Sequence, residues 1–191
     1  NKVMCIIFHS FNCRSLGMET VKTLYVAQGS KIIYAILMFI GASPCSTAGG
    51  IRTTTLAIIF ITIWCKLCGR KNVFFFKRRI SQESVTNSFL IFVLSLILLA
   101  VIIAIFWTSI PHEYKIKDIS SFENLLIECC SAFGTVGLTT GLTAVARWWG
   151  LLGLVILMFV GQLGVINSLL SWTKKNPRFN DIQYPYEDIK I

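Results

Sequence analysis

Charge is what this sequence has least of. Asp, Glu, Lys and Arg make up 14% of its 191 residues, where soluble domains average about 25%. A surface so poor in charge does not suit a globule in water. With 54% hydrophobic residues, the deficit points to the lipid bilayer. Acidic groups are scarcest: nine, against eighteen Lys and Arg, for a net charge of +9. Such a balance would suit nucleic acid, but the placement of the cations does not. Lys66, Arg70, Lys71, Lys77, Arg78 and Arg79 flank or fill one short loop, and Lys174, Lys175 and Arg178 open the tail. Cations grouped at the ends of apolar runs are the positive-inside pattern. Both segments are therefore expected in the cytoplasm, with membrane lipid as the surrounding partner and no nucleic acid. Histidine is almost missing, with only His9 and His112. The seven cysteines (Cys5, Cys13, Cys45, Cys65, Cys68, Cys129, Cys130) are scattered, and only Cys65-x-x-Cys68 has the spacing of a ligand pair. Structural zinc takes four ligands, and neither a second pair nor a nearby histidine accompanies these two. They read as small apolar residues of a membrane interior; no disulfide is required and no covalent cofactor is expected. The chain opens without an initiator Met or a secretory-signal pattern, in mid-element, and reads as part of a longer protein.

What the chain does have is long apolar runs, one of them interrupted. Residues 32–67 are apolar except around Ser43-Pro44-Cys45-Ser46-Thr47-Ala48-Gly49-Gly50, which is followed by Arg52. About 20 residues suffice to cross a hydrocarbon core, so some of this length must be irregular. Broken backbone at membrane depth is tolerated only where protein buries it or water lines it, and helix halves that stop there mark ion or substrate paths. Residues 69–82 form the basic loop, whose Phe74-Phe75-Phe76 reads as an interfacial anchor. Residues 84–108 are an uncharged span roughly 37 Å long, stopped by Pro111. Residues 109–119, with Glu113, Lys115, Lys117 and Asp118, carry balanced charge and are expected outside. Ser120-Ser121-Phe122-Glu123 reads as a capping box, opening a helix to about Phe133 that is too short to span. A glycine- and threonine-rich segment, residues 134–141, follows, and then a span over 148–172 entered through Trp148-Trp149 and closed by Lys174-Lys175.

Short helix, glycine-bearing loop, spanning helix thus occurs twice, over residues 1–67 and 120–173. The fold class expected is all-α and integral to the membrane, built from span, pore helix, filter and span repeats of the potassium-channel-like type, with one broken helix. A cation shedding its water needs oxygens in exchange, and a ring of backbone carbonyls from four loops supplies them. Glycine permits the close approach and the backbone angles. The C-terminal end of a short helix aims partial negative charge at the cavity. Thr135-Val136-Gly137-Leu138-Thr139 meets these needs, although an ordinary glycine-rich turn has the same spacing. Glu128, a costly carboxylate at membrane depth, is expected either to brace the loop by hydrogen bonds or to reach outer water. Arg52 is expected to face the aqueous path or to snorkel to the inner interface. Two other classes fit less of the sequence. Gly41-Ala42-Ser43 mimics the nucleophile of an intramembrane serine protease, but such a serine needs a base in reach, and neither histidine falls in an expected span. A membrane scaffold that transports nothing would leave the paired glycine loops without a purpose.

Residues Met38 to Thr55, through Gly41-Ala42-Ser43-Pro44-Cys45-Ser46-Thr47-Ala48-Gly49-Gly50-Ile51-Arg52, closely resemble the broken helix of the third repeat in the membrane subunit of Ktr-type potassium uptake systems, of the Ktr/Trk/HKT superfamily. Ser131-Ala132-Phe133-Gly134-Thr135-Val136-Gly137-Leu138-Thr139 is similar to the fourth pore loop, and Asn12-Cys13-Arg14-Ser15-Leu16-Gly17, more loosely, to the third. Phe76-Lys77-Arg78-Arg79-Ile80 and Tyr184-Pro185-Tyr186-Glu187-Asp188 add to the likeness.

The resemblance implies four repeats around one pore, here the C-terminal two. Residues 1–68 would be a partial third repeat, 69–83 a cytoplasmic loop, 84–173 the fourth repeat and 174–191 a cytoplasmic tail. It implies a filter at Cys13, Arg14, Ser15, Leu16, Gly17, Thr135, Val136, Gly137, Leu138 and Thr139 whose backbone carbonyls bind K+. The loop Ala42–Gly50 (Ala42, Ser43, Pro44, Cys45, Ser46, Thr47, Ala48, Gly49, Gly50), with Arg52, would be the gate. It also implies potassium uptake at the cell membrane, often with Na+ as coupling or activating ion, by a homodimer docked on a cytoplasmic ring of nucleotide-binding subunits, and no enzymatic activity. The chain departs from the pattern at four places. Gln162 stands in the last helix where an arginine usually faces the gate. Val165 stands for a proline, Cys45 for a glycine and Cys13 for a threonine.

Overall fold

The computed structural model describes residues 2–14, 17–19, 22–23, 26–41, 43, 46, 48–69, 73–75, 78–111 and 121–164. The elements in order are α1 (Lys2–Asn12), α2 (Gln28–Phe39), α3 (Thr53–Leu67), a ribbon of β1 (Phe74–Phe75) and β2 (Arg78–Arg79), α4 (Gln82–Ser109), α5 (Phe122–Gly134), a 3-10 turn (Leu142–Ala144) and α6 (Trp148–Leu163).

Among the described residues, α4 alone is long and apolar enough to cross a bilayer; α3 and α6 are apolar but shorter. At 28 residues, α4 is about 42 Å long. Ser81 caps it by accepting from the Ser84 N–H at 3.2 Å, and Glu83 sits in the first turn, where a carboxylate suits the positive end of the helix dipole. The helix stops at Ser109 because Ile110, just before Pro111, is extended, as the residue ahead of a proline prefers. Its serines do not weaken it for lipid. Ser88 donates to Ser84 O at 2.8 Å and Ser95 to Ile91 O at 2.9 Å.

The interrupted run resolves into α2 and α3 with non-helical backbone between them. That segment closes at its neck: Ile51 N donates to Phe39 O at 3.2 Å, and Ile40 pairs with Ile51. Gly41 and Gly50 let the two arms touch. A β-carbon on Gly41 would run into Gly49 O, and Gly50 has φ +86°, an angle other residues rarely adopt.

Short α5 is the centre of the packing. Ten of its thirteen residues are buried, and α2, α4 and α6 all lie against it. One flank carries Leu125, Cys129, Ala132 and Phe133 against Phe106, Leu154 and Leu157. The other carries Ile127 and Cys130 against Cys13, Ala35, Met38 and Leu99. Phe39 stacks on Phe133 with ring centroids 5.5 Å apart. Bare backbone permits two of these approaches, since a β-carbon on Gly134 would strike Met38 O and one on Gly161 would strike Phe133 O.

Three expectations are corrected. The helix start shifts by one: α5 begins at Phe122 after Ser121, which makes no side-chain cap, while Ser120 lies outside the described residues and, among those described, Glu123 Oε2 has no hydrogen-bond partner. The basic loop holds a two-stranded ribbon, pairing Phe74 with Arg79 and Phe75 with Arg78, a feature too short to leave a periodic signal. The last helix ends at Leu163, where Gly164 takes φ +84°; the rest of the expected span, 165–172, lies outside the described residues, as do 112–120 and the tail.

Gly134→Ala and Gly161→Ala should each destabilise the protein by about 1–3 kcal/mol, the usual cost of forcing atoms into a filled core. Gly29→Ala, in open space, should be neutral or stabilise by under about 1 kcal/mol. Thermal unfolding in detergent would separate the two classes, and equal melting temperatures for all three variants would refute the close backbone packing.

Candidate functional site

The site begins where α5 ends. Thr135 caps that helix in the left-handed region (φ 52°, ψ 38°) and donates its N–H to Ala132 O and Ser131 O. Val136 N donates to Ser131 O at 2.9 Å. A β-branched residue at positive φ is strained, and here the side chain has a task. Thr135 Oγ1 accepts from Gly49 N at 2.9 Å, so a glycine would fit the backbone but not hold Gly49. Beyond Thr135 the side chains alternate: Val136 and Leu138 are buried, Gly137 and Thr139 exposed. The two apolar side chains anchor the segment in the core and leave the backbone at Gly137, φ +91°, uncovered.

Gly17 lies beside Gly137 although 120 positions separate them. A β-carbon on Gly17 would sit 2.5 Å from Val136 O and 3.4 Å from Gly137 Cα, so neither residue type nor backbone angle (φ +63°) leaves room for a side chain there. Asn12, buried at the end of α1, clasps this segment: its Oδ1 accepts from Met18 N at 3.0 Å, and its Nδ2 donates to Met18 O. Sequence reading missed Asn12; the signal was an asparagine ending a helix just before a loop, where its side chain partners the turning backbone. Cys13 is fully buried and donates its thiol to His9 O at 3.1 Å, so its side chain serves the core. Arg14 is exposed and reaches Gly41 O at 3.5 Å. Ser15 and Leu16 lie outside the described residues.

Glu128 stands behind the same segment, 4% exposed. Its Oε1 accepts from Thr139 Oγ1 at 2.7 Å, Thr140 N at 2.8 Å and Thr140 Oγ1 at 3.0 Å. Burying a carboxylate is costly unless donors meet it, and three do. A cavity of about 310 Å³ lies here, lined by Glu128, Ser131, Thr135, Gly137, Thr139 and Met158 among others.

The interrupted segment meets the site at its far arm. Gly49 is wedged so that a β-carbon would be 2.8 Å from Phe133 O and 3.1 Å from the Gly161 carbonyl carbon, and Gly50 N donates to Gly161 O at 3.3 Å. Three separate pieces of chain therefore meet at backbone contacts: the end of α5, α6, and the Gly49-Gly50 arm. Ser46 N donates to Ser43 O at 3.1 Å, turning the tip, where both serines are exposed. Arg52 is exposed just before α3, and Gln162 is exposed beside Gly161. Ala42, Pro44, Cys45, Thr47 and Val165 lie outside the described residues. A second residue missed from the sequence is Lys31, which is buried and donates to Asn124 Oδ1 at 2.9 Å, tying α2 to the first turn of α5. Chemically, the junction offers carbonyl and hydroxyl oxygens at the negative end of a buried helix.

The chain matches the sequence model of the TrkH family, described as a cation transport protein, over residues 1–183. It is 42% identical over 197 residues to the "Uncharacterized cation transporter MG322" of Mycoplasma genitalium, covering all of this chain and 34% of that protein. It is 32% identical over 186 residues to "Ktr system potassium uptake protein B" of Vibrio alginolyticus, covering 97% of this chain and 39% of that protein. It is 33% identical over 187 residues to "Potassium/sodium uptake protein NtpJ" of Enterococcus hirae, covering 96% and 40%. The chain thus spans a little over a third of the length of the curated relatives it matches. These relatives are transport proteins rather than enzymes, which removes the protease reading, and a family of cation transporters resides in the membrane. The match extends from the first residue through the glycine pair, the interrupted helix and the Glu128 brace, and by it the chain belongs to the TrkH family of cation transport proteins.

Proposed function

We propose that this chain supplies the third and fourth repeats of a four-repeat potassium pore. The observation that carries the reading is the glycine pair. Gly17 and Gly137, each at positive φ, stand side by side at the negative end of a buried helix, with the Val136 carbonyl facing Gly17. Carbonyls held this way replace a potassium ion's hydration shell. The residues around each glycine, Cys13–Gly17 and Thr135–Thr139, then form two quarters of the filter, and Glu128 holds the outer part of the second in place. The relatives named for potassium uptake, and for potassium and sodium uptake, support K+ as the transported ion and Na+ as a coupling ion.

The interrupted segment Ala42–Gly50 is the gate in this reading. It leaves and re-enters α2–α3 at one neck, so it can shift without moving either helix. Its Gly49 touches the filter directly through Thr135. Arg52 and Gln162 flank the gate. The basic loop 69–83 and the tail face the cytoplasm, as the positive-inside pattern indicates. A membrane homodimer on a ring of nucleotide-binding subunits completes the proposal, on the family resemblance.

Tracer rubidium or potassium uptake would test this, using the complete reading frame in cells lacking their own potassium uptake. Gly137→Ser should lower discrimination of K+ over Na+ about tenfold or more, since about 1.4 kcal/mol of perturbation at the carbonyl ring is enough; unchanged selectivity would sink the filter assignment. Deleting residues 42–50 should raise flux. The cut is geometrically permitted because it joins Gly41 to Ile51, which already pairs with the neighbouring Ile40 across the neck, and unaltered flux from a well-folded variant would count against a gate. Glu128→Ala strands three donors and should cost about 2–4 kcal/mol of stability along with selectivity, while Glu128→Gln keeps one acceptor and should cost less. Equal effects of the two substitutions would show that the side-chain oxygen does not hold the segment.

A further inference from the structure

A second cavity, of about 610 Å³, opens between the last turns of α3 and the first turns of α4, far along the chain from the filter. Ile63, Leu67, Val73, Val85 and Phe89 line it, with Lys66 and Gln82 at its polar end. The basic ribbon is rooted on this groove. Val73 is buried against Cys65 and Val85, Ile80 N donates to Val73 O at 3.0 Å, and the β1–β2 pairing places Arg78 and Arg79 on the strand that returns to that root. Residues 66–79 hold six Lys and Arg and no acid; the acidic side chain closest in sequence is Glu83, exposed in the first turn of α4. Phe74 is 45% exposed at the same end, as suits an aromatic at head-group level.

We infer that this groove binds an anionic phospholipid, acyl chain against Ile63, Leu67, Val85 and Phe89, phosphate toward Lys66 at the start of the basic loop. The inference rests on the membrane orientation proposed above, which puts the loop at the head groups of one leaflet. The occupant follows from charge and shape together. An apolar groove opening to the bilayer will hold hydrocarbon, but a chain leaving the bilayer for such a groove gains nothing from the hydrophobic effect, because lipid tails are as apolar as its walls. Selection must therefore come from the head group. Each Lys or Arg near the surface strengthens the hold on anionic lipid about fivefold, and a soluble partner would leave the apolar half of the groove unused.

Native mass spectrometry of the full-length protein in uncharged detergent would test this, titrating phosphatidylglycerol and phosphatidylcholine with identical acyl chains. Phosphatidylglycerol should bind at least about fivefold more tightly. Lys66→Gln should remove about fivefold of its affinity and the Arg78→Gln, Arg79→Gln pair more, leaving phosphatidylcholine unchanged. Thr86→Trp, at an exposed position on the groove wall, should weaken both lipids. Equal binding of the two lipids, or adducts indifferent to all these variants, overturns the site and leaves the ribbon as a surface for a protein partner. Rubidium uptake measured on the same preparations keeps the two readings apart. A selective lipid adduct in a protein without uptake upholds the site while the pore reading fails, and uptake without a selective adduct does the reverse.

Discussion

Backbone that leaves helical geometry at membrane depth must find every hydrogen-bond partner inside the protein. On the proposed membrane reading that demand falls on the segment between α2 and α3, and the answer is close contact with neighbouring pieces of chain. Ile51 N turns to Phe39 O, Gly50 N to Gly161 O and Gly49 N to Thr135 Oγ1. Side chains would block the close approaches beside these bonds, and the glycines stand where a β-carbon would clash: Gly41 and Gly49-Gly50 on the segment, Gly134 on α5, Gly161 on α6. Much of the remaining architecture serves to hold these surfaces together. α5 is short because it must end where the arms converge. Its two flanks are apolar because α2, α4 and α6 must all press on it.

The same constraint sorts the polar residues. Three buried ones are occupied: Glu128 by three donors, Asn12 by both backbone groups of Met18, Lys31 by Asn124. Arg14, which reaches Gly41 O, and Arg52 are exposed beside the irregular segments. Lys66 is exposed at the end of α3, where an apolar wall gives way to a basic loop. Charge in this chain therefore marks boundaries or braces loops, and little of it is spent on the outer faces of the helices.

Much of this was legible in advance, for physical reasons. An uncharged run such as 84–108 is bounded by polar residues at both ends, so the start of α4 is legible to within two residues. The break at Ser43–Gly50 declared itself because Pro and paired Gly both disfavour the continuation of a helix. Glu128 was conspicuous as a carboxylate in apolar company. What stayed hidden depends on distant partners. Nothing local says that Asn12 will clasp Met18, that Lys31 will meet Asn124, or that Thr135 will accept a left-handed backbone to offer its hydroxyl. The serine-rich start of α5 reads as a capping box, yet the helix begins one residue later, after Ser121. The ribbon at 74–79 is two residues per strand, below any periodic signal.

Thr135 joins two conditions in one residue. Its backbone closes α5 and opens the segment that carries Gly137, and its hydroxyl holds the arm that carries Gly49. Whatever displaces Gly49 leaves a strained residue without its partner, and whatever reshapes the Gly137 segment moves the acceptor that Gly49 needs. Two such elements share a coupling free energy, and coupling of binding equilibria is reciprocal. On the proposed reading, an ion resting at the glycine pair biases the position of the loop by as much as the loop's position biases the hold on that ion. Occupancy from outside would then act as a signal to the inside, carried over a single hydrogen bond.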